Sequence, residues 1–195
     1  MLIRQSLVLA STSPRRISLL KDLCIKFEVV DPGNVENSTS IDPLNHVIDH
    51  AVSKARVVAQ NHHDKLILAA DTIVVLDGKI IEKPKSVEEA KLMLHTLCGR
   101  THTVISAIAL IEEIKNYTDI RTEETSVTMK SLSDTEIDAY IATGESMDKA
   151  GAYAAQGVGA FLIERIEGDF YNVVGLPISL LYDMLRKAGF EVLSI

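Results

Sequence analysis

Short apolar runs alternate with helical patterns in the first third of the chain. Leu7–Ala10 and Phe27–Val30 have the composition and length of two strands. Between them, Ser13-Pro14 predicts an N-cap followed by proline at the first position of a helix. Asp42-Pro43 repeats this pattern and predicts the start of a long second helix. This succession of strands and helices is typical of an α/β fold.

Two of the predicted apolar segments contain charged residues. On the long helix, positions 47, 51, 54 and 58 share one face, and this face is apolar except for Lys54. The strand predicted over residues 66–76 is apolar except for Asp71 and Thr72. Asp77-Gly78 then predicts a hairpin turn. Lys54 and Asp71 are therefore the first candidates for chemistry, because a buried charge is costly unless it has a partner.

The second half of the chain adds helices and strands joined by both hairpins and crossovers. Capping boxes at Ser86 and Ser133 predict two helix starts, and a last helix is predicted from about Pro177. Alternating or apolar segments predict strands over residues 101–111, 122–130, 161–166 and 171–174. We therefore expect an α/β fold around a mixed sheet, formed by a single domain over residues 1–195.

Composition and charge exclude several classes of protein. The net charge of −7 argues against broad electrostatic binding to nucleic acid or to an anionic membrane surface. The chain has two cysteines, too few for a disulfide framework, and no apolar run near the roughly 20 residues of a membrane span. We expect a cytoplasmic protein that has no nucleic-acid or membrane partner.

The stretch ASTSPRR, residues 10–16, predicts an anion site. A strand ends, a hydroxyl-rich turn follows, and a helix begins with its positive dipole end and unpaired N–H groups. Ser11 and Ser13 offer hydroxyl donors, and Arg15 and Arg16 offer planar guanidinium groups that suit phosphate oxygens. The alternative is that Ser13 only caps the helix and that the arginines are solvated.

Several further residues have both a chemical and a structural interpretation. Asp71 is the best base or metal-ligand candidate, with Lys83 following across the hairpin, but it could also be a structural ion pair. Glu36 lies in a polar loop, where a glutamate is normally solvated, and Lys54 could extend its amine to water. The amide of Gln156 could bind a pyrimidine edge or only a turn.

Two histidines four residues apart on the long helix, at positions 46 and 50, have a spacing that can bind zinc. The sequence provides no glutamate in the usual place between them and no evident third ligand. We therefore do not predict a zinc site.

Seven stretches are distinctive in combination: LVLASTSPRR, Glu36, the Lys54-Ala55 pair, AADTIVVLDGKIIEKP, LCGRTHTVISAIAL, GESMDKAGAYAAQG and GDFYNVVGLP. Together, in this order and over almost the whole chain, they resemble the Maf family of nucleoside triphosphate pyrophosphatases. The text at Asp71-Thr72 and at Asp148 to Gln156 resembles the branch that hydrolyses dTTP and UTP. The branch acting on 7-methyl-GTP typically has Ser-Asp-Gln where Asp71 and Thr72 stand.

The resemblance implies an elongated, two-lobed mixed-sheet fold of the inosine triphosphatase type with a central cleft. It also implies hydrolysis of dTTP and UTP between the α- and β-phosphates, which yields a nucleoside monophosphate and pyrophosphate. The alternatives are an enzyme of the same family that acts on 7-methyl-GTP or on a modified pyrimidine triphosphate such as 5-methyl-UTP or pseudo-UTP, and a nucleotide-sensing regulator of septum formation. The resemblance is also compatible with a homodimer.

The resemblance further implies roles for individual residues. Asp71 matches the family's proposed proton acceptor, and other positions match those assigned to substrate specificity, namely Arg15, Thr72 and Gln156. The remaining polar positions of the family's active site are matched by Ser11, Arg16, Glu36, Lys54 and Lys83. We expect Mg²⁺ or Mn²⁺ to be held by Glu36, Asp71 and triphosphate oxygens, while the cationic side chains offset developing charge.

Two departures from the family pattern concern the predicted site. The loop that usually has two consecutive acids has Val35-Glu36, which leaves one carboxylate, and Ala154-Ala155 replaces a common Gly-Ile before Gln156. The second departure removes a glycine beside the predicted base-reading amide.

Overall fold

The structure is a computed structural model that describes residues 6–35 and 38–192. Within these ranges the helices and strands are, in chain order, β1 (Leu7–Ala10), α1 (Pro14–Asp22), β2 (Phe27–Val30), α2 (Pro43–Ala59), β3 (Leu66–Leu76), β4 (Lys79–Ile81), α3 (Val87–Leu97), β5 (Thr101–Glu112), β6 (Tyr117–Met129), α4 (Asp134–Ala142), β7 (Ile163–Glu167), α5 (Phe170–Val174) and α6 (Ile178–Lys187). In the part of the chain so described, no helix has the length and apolar character needed to cross a membrane.

The seven strands form one mixed sheet in the order β2-β1-β3-β5-β6-β7, with β4 beside β3. β1 is parallel to both of its neighbours, so that Leu7 lies opposite Phe27 on one side and opposite Leu66 on the other. β4 and β7 run antiparallel to β3 and β6. The prediction of an α/β fold around a mixed sheet is confirmed, and the Asp77-Gly78 hairpin joins β3 to β4 as expected.

The chain divides into two compact units. Unit 1 comprises the described residues of Met1–Asp71, Ser106–Glu123 and Gly175–Ile195. It contains β1, β2, α1, α2 and α6 with parts of β3, β5 and β6. The residues of β1 and the first five of β3 are at most 1% exposed, and α2 contacts β1. The unbroken apolar runs of these strands reflect burial on both faces of the sheet.

Unit 2 comprises Thr72–Ile105 and Glu124–Val174. In it, α3 packs against α4, and their apolar faces share one core with strand residues; its fully buried members include Leu94, Leu97, Val127, Met129 and Ile137. Gly151 lies against this core and has a φ of +72°. A Cβ at that position would lie 3.1 Å from Leu97 Cδ1. Both observations favour glycine at this position.

The capping residues of unit 2 behave largely as predicted. Ser133 and Glu136 form a complete capping box at the start of α4, because each side chain binds the other's backbone N–H. At α3, the Ser86 hydroxyl accepts from the Glu89 N–H at 3.2 Å, but the Glu89 carboxylate accepts from the Lys85 N–H instead of completing the box. The start of each helix therefore follows from local hydrogen bonding.

The strand predicted over residues 171–174 is wrong, because this segment forms the short helix α5. The Asp169 carboxylate accepts from the Tyr171 N–H at 2.7 Å and so caps the helical turn. The fully buried Asn172 amide donates to Val104 O at 3.1 Å and to Thr125 Oγ1 at 3.0 Å. The strand predicted from residue 161 begins later, at Ile163, because a 3₁₀ segment covers Gly157–Leu162.

Candidate active site

A buried ion pair in unit 1 joins α2 to β3. Lys54 Nζ donates to Asp71 Oδ1 at 2.8 Å, and the two side chains are 9% and 12% exposed. Lys54 lies on the apolar face of α2 that the sequence predicts, and Asp71 follows the buried residues 66–70 of β3. The amine of Lys54 therefore does not extend to water. Asp71 lies within β3, which continues to Leu76, as the predicted strand over residues 66–76 implies.

The second oxygen of Asp71 contacts His50, which lies one helical turn before Lys54 on α2. His50 Nδ1 is 3.3 Å from Asp71 Oδ2, and His50 is 8% exposed. The other ring nitrogen, Nε2, accepts a hydrogen bond from the Ser38 backbone N–H at 3.4 Å. Asp71 thus has one basic side chain on each carboxylate oxygen.

The surroundings of Asp71 determine its pKa. Burial raises the pKa, but the hydrogen bond to His50 and the positive charges of Lys54 and Arg16 together outweigh burial and lower it from 3.8 to about 2. Asp71 is therefore an anion at neutral pH. A carboxylate with so low a pKa is a weak base but a good partner for cations.

Arg16, in the first turn of α1, is also buried, at 9% exposure. Its Nε donates to Gly175 O at 2.8 Å, within unit 1, and its charge contributes to the low pKa of Asp71. The alternative in which the arginines are solvated is therefore wrong for Arg16. Ser11 is buried, and its hydroxyl accepts from the Ser13 backbone N–H at 3.2 Å.

The start of α1 differs in one detail from the predicted cap. Ser13 occupies the N-cap position and Pro14 the first helical position, as expected, but the Ser13 side chain makes no cap hydrogen bond. Its hydroxyl is therefore not used as a helix cap, while the helix dipole presents positive potential at this end. Arg15, next to Arg16, is half-buried.

Three of the remaining predicted residues, Thr72, Lys83 and Gln156, belong to unit 2. Thr72 follows Asp71 in β3 and is half-buried, whereas Lys83 and Gln156 are exposed residues of unit 2. Lys83 follows β4, and Gln156 precedes Gly157, whose φ is +67°. Glu36 lies outside the described residues. The roles of all these side chains stay predictions.

His50 is a site residue that was not predicted from the sequence. Its spacing from His46 suggested only half of a zinc pair, and among residues 6–35 and 38–192 no three metal-binding side chains cluster. The signal that could have identified it was helical spacing, since His50 and Lys54 are four residues apart on the buried face of α2. Asp71 is the shared partner that explains both.

The donors around Asp71 fit one kind of metal better than another. Mg²⁺ binds one or two carboxylates and completes its coordination with water and substrate phosphate oxygens. Asp71 offers such a carboxylate, and each of its oxygens has a second lone pair beyond its present contact. A hard cation that arrives with phosphate oxygens therefore fits these residues. A cage of several protein ligands does not exist in the described part of the chain.

The fold and the site define an α/β protein in which one buried carboxylate interacts with three basic side chains, those of His50, Lys54 and Arg16. The sequence matches the family described as Maf-like protein over residues 6–188. The chain belongs to this family.

Similar proteins agree with this assignment. The chain is 44% identical over 193 residues to a dTTP/UTP pyrophosphatase of Dictyoglomus thermophilum, covering 97% of this chain and 100% of that protein. It is 48% identical over 184 residues to a dTTP/UTP pyrophosphatase of Thermoanaerobacter pseudethanolicus, covering 93% and 95%. The structure of the Staphylococcus aureus Ham1 protein aligns with a TM-score of 0.57 at 16% identity, covering 94% of this chain and 100% of that one, which shows a shared fold.

Proposed function

We propose that this chain is a nucleoside triphosphate pyrophosphatase that hydrolyses dTTP and UTP to the nucleoside monophosphate and pyrophosphate. The observation that carries the proposal is the setting of Asp71, a buried anion held between Lys54 and His50 with Arg16 nearby. The relatives called dTTP/UTP pyrophosphatase, which are similar over nearly the whole chain, support the choice of substrate.

Binding of the triphosphate is assigned to the start of α1. Four residues there supply groups that suit phosphate oxygens, namely Ser11, Ser13, Arg15 and Arg16. The positive end of the helix dipole adds to their effect. Arg16 and Lys54 are buried, so their attraction to an incoming anion is weakly screened by water. These two side chains offset the charge that develops on the phosphates during the reaction.

Hydrolysis requires one water molecule. Its oxygen bonds to one of the two bridged phosphorus atoms, and the bond from that phosphorus to the bridging oxygen breaks. The bridging oxygen keeps the electron pair and leaves as part of the other product, and the proton that the water loses passes to solvent. Asp71 accepts a hydrogen bond from this water and orients it. Glu36 and Asp71 would hold the divalent cation, Mg²⁺ or Mn²⁺, which neutralises phosphate charge when it is bound.

Residues of unit 2 complete the proposal. Lys83 offers a further positive charge for the phosphates, and Thr72 and Gln156 are assigned to the choice of base. A side-chain amide can both donate to and accept from the imide edge of a pyrimidine, which suits Gln156 to this task. A single domain over residues 1–195, a homodimer, a cytoplasmic location and the absence of nucleic-acid and membrane partners stay predictions.

The test is pyrophosphate release from dTTP, UTP, CTP, 7-methyl-GTP and ITP, with and without Mg²⁺ or Mn²⁺. It compares the wild type with Asp71→Asn and with the matched control Asp119→Asn. Asp119 is also a buried carboxylate of unit 1, paired with Arg121 at 3.0 Å and with Lys187 at 3.1 Å. Both variants remove a paired anion, so only a specific role of Asp71 separates them.

We expect metal-dependent turnover of dTTP and UTP in the wild type and in Asp119→Asn, and its loss in Asp71→Asn. Turnover of 7-methyl-GTP alone would overturn the assigned substrate. Nucleotide binding that raises the melting temperature without any release of pyrophosphate would replace the enzyme with a nucleotide-sensing regulator.

A further inference from the structure

His50 has no part in the proposed reaction, although it contacts the residue at the centre of it. Its ring is buried between Asp71 on one side and the segment that begins at Ser38 on the other. A buried polar side chain with two polar contacts is held in one orientation. The contacts of His50 therefore also restrict the two groups that it contacts, the Asp71 carboxylate and the Ser38 backbone N–H.

The hydrogen bonds assign the tautomer of the ring. The Ser38 backbone N–H can only donate, so His50 Nε2, at 3.4 Å, must accept and carries no proton. In the neutral ring the proton is then on Nδ1, which donates to Asp71 Oδ2 at 3.3 Å. A single neutral imidazole satisfies both contacts, in the order Ser38 N–H, His50, Asp71.

The same contacts restrict the carboxylate. Lys54 holds Oδ1 of Asp71 and His50 holds Oδ2, so rotation of the carboxylate would break two hydrogen bonds in a buried place. The Ser38 end is also anchored, because its hydroxyl donates to Asp49 Oδ2 at 2.8 Å. His50 thus connects the orientation of Asp71 to the segment that follows residue 37.

We propose that His50 is a positioning residue, which orients the Asp71 carboxylate by relaying the Ser38 N–H through its Nδ1-protonated ring. The catalytic part of this inference rests on the function proposed above. Because His50 acts through Asp71, we expect its loss to lower kcat and to leave KM for the nucleotide nearly unchanged.

Three substitutions separate the two contacts of the ring. His50→Asn keeps an N–H donor close to the position of Nδ1, His50→Gln keeps an acceptor that can reach the Ser38 N–H, and His50→Leu keeps neither. We expect kcat for dTTP to fall about 10- to 100-fold in His50→Leu and His50→Gln. This is the range found for side chains that orient a metal-binding residue. His50→Asn should keep kcat within roughly threefold of the wild type, because the bond to Asp71 is preserved.

His95→Leu is the matched control, since it removes an exposed histidine that is 3.7 Å from a carboxylate, Asp134, in unit 2. It should leave kcat unchanged. Unfolding in urea, recorded for each variant, separates loss of fold from loss of positioning. A kcat in His50→Leu equal to that of the wild type would overturn the inference, and so would equal losses in His50→Asn and His50→Leu.

A second measurement does not depend on turnover. In the ¹⁵N-labelled wild type, the two ring nitrogens of His50 should give the separate signals of a protonated Nδ1 and an unprotonated Nε2. A protonated Nε2 with an unprotonated Nδ1 would overturn the relay. Absence of turnover in the wild type would overturn the proposed function together with the catalytic half of this inference. The ¹⁵N signals of the ring would still show whether His50 connects the Ser38 N–H to Asp71 as proposed.

Discussion

Replacing Asp71 with Asn tests the energetics of the site as well as its chemistry. The substitution removes the negative charge and keeps the size and shape of the side chain. Lys54 then stays 9% exposed with no anion at 2.8 Å, and the hydrogen bond from His50 meets a neutral group. A buried cation that loses its partner is strongly destabilising, because its desolvation is no longer offset.

The pKa of Asp71 gives the magnitude. Relative to an ordinary value of 3.8, burial raises it, but His50, Lys54 and Arg16 lower it to about 2. At about 1.4 kcal/mol per pKa unit, the ionised carboxylate contributes on the order of 2.5 kcal/mol to folding at neutral pH. Breaking a buried pair costs roughly 3–5 kcal/mol in other proteins. We expect Asp71→Asn to lower the free energy of unfolding at pH 7 by about 3 kcal/mol.

The contribution of the Asp71 carboxylate to stability must decrease as the pH falls. The folded pKa lies below the unfolded one, so the contribution is complete well above pH 3.8 and is lost as the pH falls toward about 2. Urea unfolding of both proteins, followed by circular dichroism from pH 7 down to pH 3, measures this difference. The difference in free energy of unfolding between the wild type and Asp71→Asn should become smaller below about pH 5.

The control for this experiment is Asp77→Asn, which removes an exposed carboxylate paired with Arg100 at 2.6 Å. The side chains of Arg100 and Asp77 are 45% and 68% exposed, so loss of this pair should cost no more than about 1 kcal/mol. A gap between wild type and Asp71→Asn that stays constant from pH 7 to pH 3, or that matches the Asp77→Asn value, would refute the reasoning.

Three further predictions concern unit 2. Gly151→Ala should lower the free energy of unfolding by about 1–3 kcal/mol, because φ is +72° and the new Cβ would crowd Leu97; urea unfolding measures it. Asn172→Ala should cost about 2 kcal/mol in the same assay, since it leaves Val104 O without this buried donor. The Glu145 carboxylate accepts from two N–H groups just after Gln156, so Glu145→Gln should raise KM for dTTP roughly fivefold and spare kcat in steady-state assays.

Much of the fold could be predicted because it depends on local chemistry. β2 spans the four residues that the sequence predicts, and α2 starts at Pro43 behind an Asp42 side chain that accepts from the Asn45 N–H at 2.9 Å. Caps, turns and unbroken apolar runs act within a few residues of each other. Apart from the segment 170–174, the order of helices and strands follows from these signals.

The segment 170–174 could not be predicted in this way. Five residues are too few for helical and strand periods to be distinguished. The contacts that settle its conformation are distant in sequence, since Asn172 binds Val104 across 68 positions and Thr125 across 47. Asp169 gave a local signal, because its carboxylate caps the helix, but an aspartate before a short apolar run also fits a turn before a strand.

In the candidate site, too, local sequence predicts some features, while others depend on contacts between distant positions. Helical spacing placed Lys54 on the buried face of α2, and the apolar run placed Asp71 inside a strand. Sequence could not show that the two meet at 2.8 Å, or that His50 shares their contact, because pairing across 17 and 21 positions is a property of the fold. Arg16 likewise needed the fold, since its partner Gly175 O lies 159 positions away.

The low pKa of Asp71 bears on how the carboxylate works. With a pKa of about 2, Asp71 holds its cations firmly and takes up a proton poorly at neutral pH. Proton abstraction by Asp71 would require Lys54 and Arg16 to turn toward another anion, and a triphosphate is an anion able to attract both. Binding of the nucleotide would then remove the contributions of Lys54 and Arg16 to the low pKa of Asp71, while the hydrogen bond from His50 remains. Orientation of water is therefore the role that the free protein supports, and base catalysis would be acquired only with the nucleotide bound.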